Sequence, residues 1–333
     1  MKLKAYLAAF LLISASTVQA QKADTAQAII HYKFTHVRDT LNRDQPLVEN
    51  MMLSVGRSAS WYRSYDRKQR EEQVRKAAMA QLNSGMTNLN LQGLGAAKFG
   101  PNIEYYQFPN ENKFFSKERL FTNYLVEEKM PAIAWKISTD TMTIKGLACQ
   151  KATAHFKGRD YTAWFCADLP YRVGPWKLGG LPGLIVEAYD AKKDVIFQFD
   201  GVEKIDPSER NKPADAAPSP ASGRTMVLMG PGGDSNANPY VIELPKSAVK
   251  VSVKELDDLK EIQRKDPEAF LQAQMASMRA QAPAGANVSF KMNVGSATAS
   301  GNGISSVNIQ SSGGPAKVVT NNPIELPEKN AKK

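Results

Sequence analysis

This sequence predicts a mostly β fold: a strongly curved antiparallel sheet, open like a half-barrel or bowl, with one or two covering helices and a disordered C-terminal tail. Three observations carry that expectation. Strand-like runs follow one another from Ile103 onward, broken at Pro109-Asn110, Met130-Pro131 and Thr139-Asp140, which is the rhythm of hairpin-linked strands. Residues 28–37 alternate apolar and polar, with Ile30, Tyr32 and Phe34 on one side, as a half-buried strand does. Trp61, Trp135, Trp164 and Trp176 are all the tryptophans present, so the aromatic part of the core belongs between positions 61 and 176.

Residues 1–20 precede that fold. Lys2 and Lys4 open the chain, residues 5–13 are apolar and uncharged, and small residues lead to Ala20; this three-part pattern predicts a cleaved export signal. The apolar run falls short of the roughly 20 residues that a membrane helix needs, and no cysteine stands near the cleavage point to carry a lipid. Cleavage removes two lysines and lowers the formal net charge from +10 to +8. The basic residues are spread along the chain without a nucleic-acid-binding motif, so nucleic acid is not an expected partner. Solubility and a mild attraction to anionic envelope surfaces suit this charge.

The expected β domain spans residues 21–206. Residues 51–55 and 58–64 read as short strands. Residues 66–82 are charged, free of Gly and Pro, and place Glu71/Arg75 and Glu72/Lys76 at i,i+4 spacing, the pattern of a solvent-exposed helix. Further strands are expected over 103–108, 113–120, 123–128, 134–138 and within 143–202. Residues 207–238 read as a mobile insertion, because the stretch from Asp206 to Asn238 holds five prolines and four glycines. A strand and helical extension follows over 239–282. Ser252-Val253-Lys254-Glu255 is a capping box opening a helix that carries Leu256, Leu259 and Ile262. Asp266-Pro267 opens a second helix with Phe270, Leu271, Met275 and Met278 as its apolar stripe. Residues 283–333, rich in Gly, Ser, Asn and Ala, are expected to be largely disordered. Asn238-Pro239-Tyr240-Val241-Ile242-Glu243-Leu244-Pro245 recurs in shorter form as Asn322-Pro323-Ile324-Glu325-Leu326-Pro327, an echo too short to be a repeat.

Residues able to carry chemistry are few. No phosphate loop or dinucleotide loop is present, and no cofactor is indicated. His31 and His36 differ by an odd number and point to opposite faces of one strand, so no metal pair arises. His155 lies six residues along one strand from Cys149, roughly 20 Å away at the strand rise, too far for a dyad. A hairpin turning at Gly158-Arg159 would set Cys149 and Cys166 diagonally on one face. Diagonal Cα atoms are roughly 7–8 Å apart, slightly beyond disulfide range unless a bulge or another turn shifts the register. Export to an oxidising compartment nevertheless favours a Cys149–Cys166 bond. Glu187 shares a strand face with Ile185 and Tyr189; covered on both faces it would seek Lys177 or Arg159, and otherwise it is solvated.

The richest stretch is central. It contains Cys149-Gln150-Lys151-Ala152, then Gly158-Arg159-Asp160-Tyr161-Thr162-Ala163-Trp164-Phe165, then Gly174-Pro175-Trp176-Lys177 and Gly180-Leu181-Pro182-Gly183-Leu184-Ile185. On these elements, in this order, the chain resembles the GLPGLI family of exported bacterial proteins over roughly residues 29–205. Cys166 departs from the pattern, which has Thr after the Ala-Trp-Phe element. The resemblance implies similarity to the non-catalytic bowl-shaped module of some peptide-glycan amidases, and a partner such as an outer-membrane TonB-dependent transporter. It implies no reaction. Leu181-Pro182-Gly183-Leu184 has the order of a type II turn, with positive φ at Gly183, so turn chemistry explains the motif and direct ligand contact is the alternative.

The expected function is non-catalytic binding or assembly in the cell envelope, periplasmic or at the outer membrane. Trp176, Lys177, Gly180, Leu181, Pro182 and Gly183 would form a rigid recognition surface, with Glu187 as a further candidate; the competing account is that Trp176 plugs the core. Two rivals remain: a hydrolase of envelope peptide or glycan using Glu187, Asp168 and Lys177, and a periplasmic carrier of lipid or peptide.

Overall fold

The computed structural model describes residues 23–84, 88–90, 102–205, 238, 240–281, 289–293, 296–300, 306–308 and 320–328. The expected export signal and nearly all of the expected insertion lie outside the described residues, as do the side chains of Leu271, Met275 and Met278.

The strands in the first part of the chain are β1 (Asp24–Thr25), β2 (Ala28–His36), β3 (Leu47–Val55), β4 (Ser60–Ser64), β5 (Asn88–Asn90), β6 (Ile103–Phe108), β7 (Lys113–Arg119) and β8 (Asn123–Lys129). They are followed by β9 (Lys136–Ile144), β10 (Leu147–Phe156), β11 (Arg159–Cys166), β12 (Leu184–Asp190) and β13 (Val195–Lys204). Twelve strands form one open sheet in the order β15-β8-β7-β6-β4-β3-β2-β13-β12-β11-β10-β9, where β15 is Val249–Lys250. Every pairing in it is antiparallel except β15 with β8. Helix α1 (Tyr65–Asn83) follows β4; α2 (Val253–Lys265) and α3 (Pro267–Gln281) come late in the chain. β14 (Val241–Ile242) pairs with β1. β16 (Ser289–Asn293), β17 (Ser296–Ser300) and β18 (Ser306–Asn308) form a small sheet with β5.

The two-residue period of β2 decides which core each side chain enters. Ile30 and Tyr32, with Phe34 packed beside them, face the larger cluster of Leu53, Tyr62, Tyr161, Leu184 and Phe197. Ile29 faces the opposite cluster with Met52, Trp61, Tyr106, Phe115 and Ile242, against which Tyr65 of α1 packs. The sheet is therefore apolar on both faces here, and α1 is not wholly solvated. Among its described residues Lys68 and Glu72 form an i,i+4 ion pair at 3.2 Å; the side chain of Arg75 lies outside them. The capping box of α2 forms as expected, with Glu255 N donating to Ser252 Oγ and Ser252 N to Glu255 Oε2. Leu256 and Leu259 pack against Tyr124 and Val126, whereas Ile262 is 52% exposed.

Two expectations are corrected here. Thr139-Asp140 does not break the chain, since β9 runs through it as the edge strand. A register shift between Gln150 and Ala152 of β10 accommodates it, and Asp140 is held by Lys151 at 2.9 Å. Nor are Cys149 and Cys166 bonded: both are buried free thiols. The β10–β11 turn is Lys157-Gly158, with φ of 50° and 71°, one residue earlier than expected. The ladder then runs from Phe156↔Arg159 to Gln150↔Phe165 and stops one residue short of both cysteines. The Cys149 thiol turns instead to the Leu147 carbonyl of its own strand, 3.3 Å away.

Candidate functional site

The connection from β11 to β12, residues 167–183, folds back on itself. Val173 bridges Gly179, Leu178 N donates to Pro175 O at 3.0 Å, and Gly180 N to Arg172 O at 3.2 Å. Side chains distant in sequence fasten it: Gln107 Nε2 of β6 donates to Trp176 O at 3.1 Å and Trp135 Nε1, just before β9, to Gly179 O at 2.9 Å. Trp176 takes a left-handed φ of 56°, a costly conformation for a bulky residue. The ring is thereby driven inward, where it stacks on Phe197 at 6.3 Å and meets Phe156 and Tyr161.

This geometry sorts the expected recognition residues. Trp176 is 2% exposed and fills the core, so it offers no aromatic face to a partner. Leu181 and Gly183 are also buried; Gly180 and Pro182 are exposed. The expected type II turn with positive φ at Gly183 does not form, because the left-handed glycine of this motif is Gly180, at 88°. Gly183 is needed for space instead: a Cβ there would lie 2.2 Å from the Cys166 carbonyl oxygen.

Lys177 is the residue that the connection delivers to a site. Its ammonium lies 2.8 Å from Glu325 and 3.5 Å from Glu128, and 5.5 Å from the Phe114 ring centre. Glu325 belongs to residues 320–328, part of the stretch expected to be disordered. That segment is instead seated in a groove between the end of β2 and the β10–β11 turn.

At the centre of the groove is Arg159, whose side chain is 3% exposed. Its Nη1 donates to Asp190 at 2.7 Å, Nη2 to Asn322 Oδ1 and to Pro323 O, each at 2.7 Å, and Nε to Ile324 O at 2.9 Å. Asn322 Nδ2 donates to Val37 O at 2.7 Å and to Asp194 at 3.2 Å, while its carbonyl lies 2.9 Å from His36 Nε2. Asn321 N and Asn322 N both donate to Arg38 O. Further along, Leu326 N donates to Lys157 O, and Glu328 accepts from Gly158 N at 3.0 Å and lies 2.9 Å from His155. Lys157 adds an ion pair to Glu325 at 3.1 Å.

The electrostatics follow from these contacts. Burial would raise the Glu325 carboxyl, but Lys177 and Lys157 together pull it below its ordinary range. His155 holds Glu328 down with help from Gly158 N, and Asp160 and Glu328 hold His155 up. His36 is pushed down to about 4, mainly by burial, against the pull of the Asn322 carbonyl.

Glu187 pairs across the ladder with Trp164 and Gln198. Burial raises its carboxyl, opposed by Lys193. The partners considered for it lie elsewhere: Arg159 pairs with Asp190, and Lys177 with Glu325 and Glu128. Lys177 is thus engaged with Glu325 and Glu128. Among the described residues no group of three or more His, Cys, Asp or Glu could hold a metal ion, and no described helix is long and apolar enough to cross a membrane. Sequence reasoning did not assign Asn322, Glu325, Glu328, His36 or His155 to a site. The signal available was the Asn-Pro and Ile-Glu-Leu-Pro echo itself, inside an otherwise low-complexity tail.

No family model and no curated protein matches the chain. Two solved structures of PNGF-II, in P21 and C2 space groups, are similar over 70% and 69% of this chain and 33% and 32% of theirs, with 12% and 11% identity and TM-scores of 0.42 and 0.41. The chain therefore spans about a third of the length of those structures.

Proposed function

We propose that this chain is a non-catalytic binding or assembly protein of the bacterial cell envelope, exported with cleavage after Ala20. In this reading it engages polypeptide where the 167–183 connection, the β10–β11 turn and residues 320–328 meet. The supporting observation is the grip of Arg159, Lys157, Lys177 and His155 on the acidic segment 320–328. The three cations Arg159, Lys157 and Lys177, with the His155 ring beside Glu328, act as hydrogen-bond and ion-pair partners of peptide groups, which is recognition chemistry. The three-part leader supports the envelope location, and the likeness of the central motifs to the GLPGLI family supports an outer-membrane transporter as the partner.

Crosslinking in envelope fractions tests this, with recovery compared between the parent and Lys177→Glu. Folded Lys177→Glu protein should recover its main envelope partner at least fivefold less well. Equal recovery would remove this face from the reading. Turnover of an envelope peptide or glycan panel, abolished by Glu187→Gln, would replace binding with hydrolysis.

A further inference from the structure

Residues 320–328 are held in a way that separates the groove from its occupant. Only Asn322 is fully buried among them; Asn321, Pro323, Pro327 and Glu328 are exposed, and Ile324, Glu325 and Leu326 are half-covered. The hold is therefore mostly polar and reachable by water along its length. The groove has supports of its own: Asp190 accepts from Arg159 and also from Val195 N at 2.9 Å, while Gln107 and Trp135 fasten the connection that carries Lys177. A site braced from behind keeps its shape when its occupant leaves, which lowers the cost of binding another.

The contacts also read side chains. Arg159 needs an acceptor from Asn322, while Val37 O and Asp194 need donors. An amide meets both demands. An Asp there would set a carboxylate against Asp194, and an Ala would take one acceptor from Arg159 Nη2 and the side-chain donor from the Val37 carbonyl. Three residues on, Glu325 meets Lys157 and Lys177; three further, Glu328 meets His155 and Gly158 N. We propose that this groove is a sequence-reading site for an acidic peptide of the form Asn-Pro-x-Glu-x-x-Glu presented in trans, and that the chain's own residues 320–328 are a tethered, exchangeable occupant. The proposal rests on the polypeptide-binding reading above and adds the ligand's sequence and its built-in competitor.

The chain supplies its own control. The echo at Asn238 sets its glutamate, Glu243, five residues after the asparagine, whereas Glu325 follows Asn322 by three. The two extra residues put the echo peptide's carboxylate out of register with Lys177 once its asparagine is anchored on Arg159. In the folded chain that segment pairs with β1 instead.

The test uses the full-length protein with a specific protease site placed between Gly313 and Gly314, cut after folding, and a fluorescent peptide of the sequence of residues 318–330. Cut protein should take up the peptide saturably at one per chain, with release of its own fragment seen by mass spectrometry. Uncut protein should bind it at least tenfold more weakly, because a tethered competitor acts at an effective concentration on the order of millimolar. Peptides carrying Asn322→Asp or Glu325→Lys, and the 236–247 echo peptide, should each lose tenfold or more. These variants change only the peptide, so the groove stays folded in every arm. Failure of the cut protein to exchange, or equal uptake of the variant peptides, would overturn the proposal. If exchange fails while Lys177→Glu still loses its envelope partner, the binding face stands without an exchangeable occupant. If exchange succeeds and no partner depends on Lys177, the groove stands and the envelope role falls.

Discussion

Gly183 and Trp176 sit on the same connection and are constrained for different reasons. At Gly183 the requirement is space beside the Cys166 carbonyl, and Gly183→Ala should lower stability by on the order of 3 kcal/mol through forced backbone movement. Trp176→Ala removes the ring that joins Phe156, Tyr161 and Phe197, and should cost roughly 3–5 kcal/mol in denaturant unfolding. The need for space at Gly183 is not legible in the sequence, where Pro182-Gly183 reads as turn chemistry; Trp176 reads as a surface anchor with a core plug as the alternative, and the strands that pack from elsewhere decide between them. The cysteines make a third residue-scale prediction. Burial first, then Cys166, pushes the Cys149 thiol up to about 11, so at pH 8 it should react slowly with a disulfide reagent in the native protein. Unfolding without reductant should release two reactive thiols per chain. His36 makes the fourth. Its folded value of about 4 lies below its unfolded value of about 6.5, so the unfolded chain binds more protons between the two. Stability should therefore fall as pH drops from about 6.5 to about 4, by up to roughly 3 kcal/mol from this group, and His36→Gln should flatten that part of the curve.

At the scale of elements, the sequence was most informative where period and turn residues agree. β6 matches the expected 103–108, and the capping box of α2 stands where Ser252 and Glu255 place it. β9 was truncated in expectation because Thr139-Asp140 resembles a break, yet an edge strand beside an irregular partner tolerates polar residues that a central strand would not. The seat of residues 320–328 was illegible for another reason. Low complexity describes composition, whereas the hold on Asn322 comes from Arg159, Val37 and Asp194, which only the folded sheet brings together. The β10–β11 turn is the hinge of that arrangement. Gly158 has φ of 71°, and a Cβ there would meet Leu326 Cβ and backbone at 2.7–2.9 Å. Gly158→Ala should therefore strain the turn and lift the segment, measurable as faster proteolytic loss of a C-terminal tag while the sheet remains folded.

On the scale of the whole molecule, the open sheet joins both ends of the chain to its middle. β2, near the start, is paired to β3 and β13, and the end of the chain reaches back across 286 positions from Asn322 to His36 and 163 to Arg159. That span carries a consequence in time. Synthesis runs in chain order, so the groove around Arg159 stays unfilled until Asn322, 163 positions later, has been made. Closing so large a loop is only modestly dearer in entropy than closing a shorter one, but it must wait for its far end. Stopped-flow refolding should therefore show protection of residues 320–328 arising after that of β2 and β13.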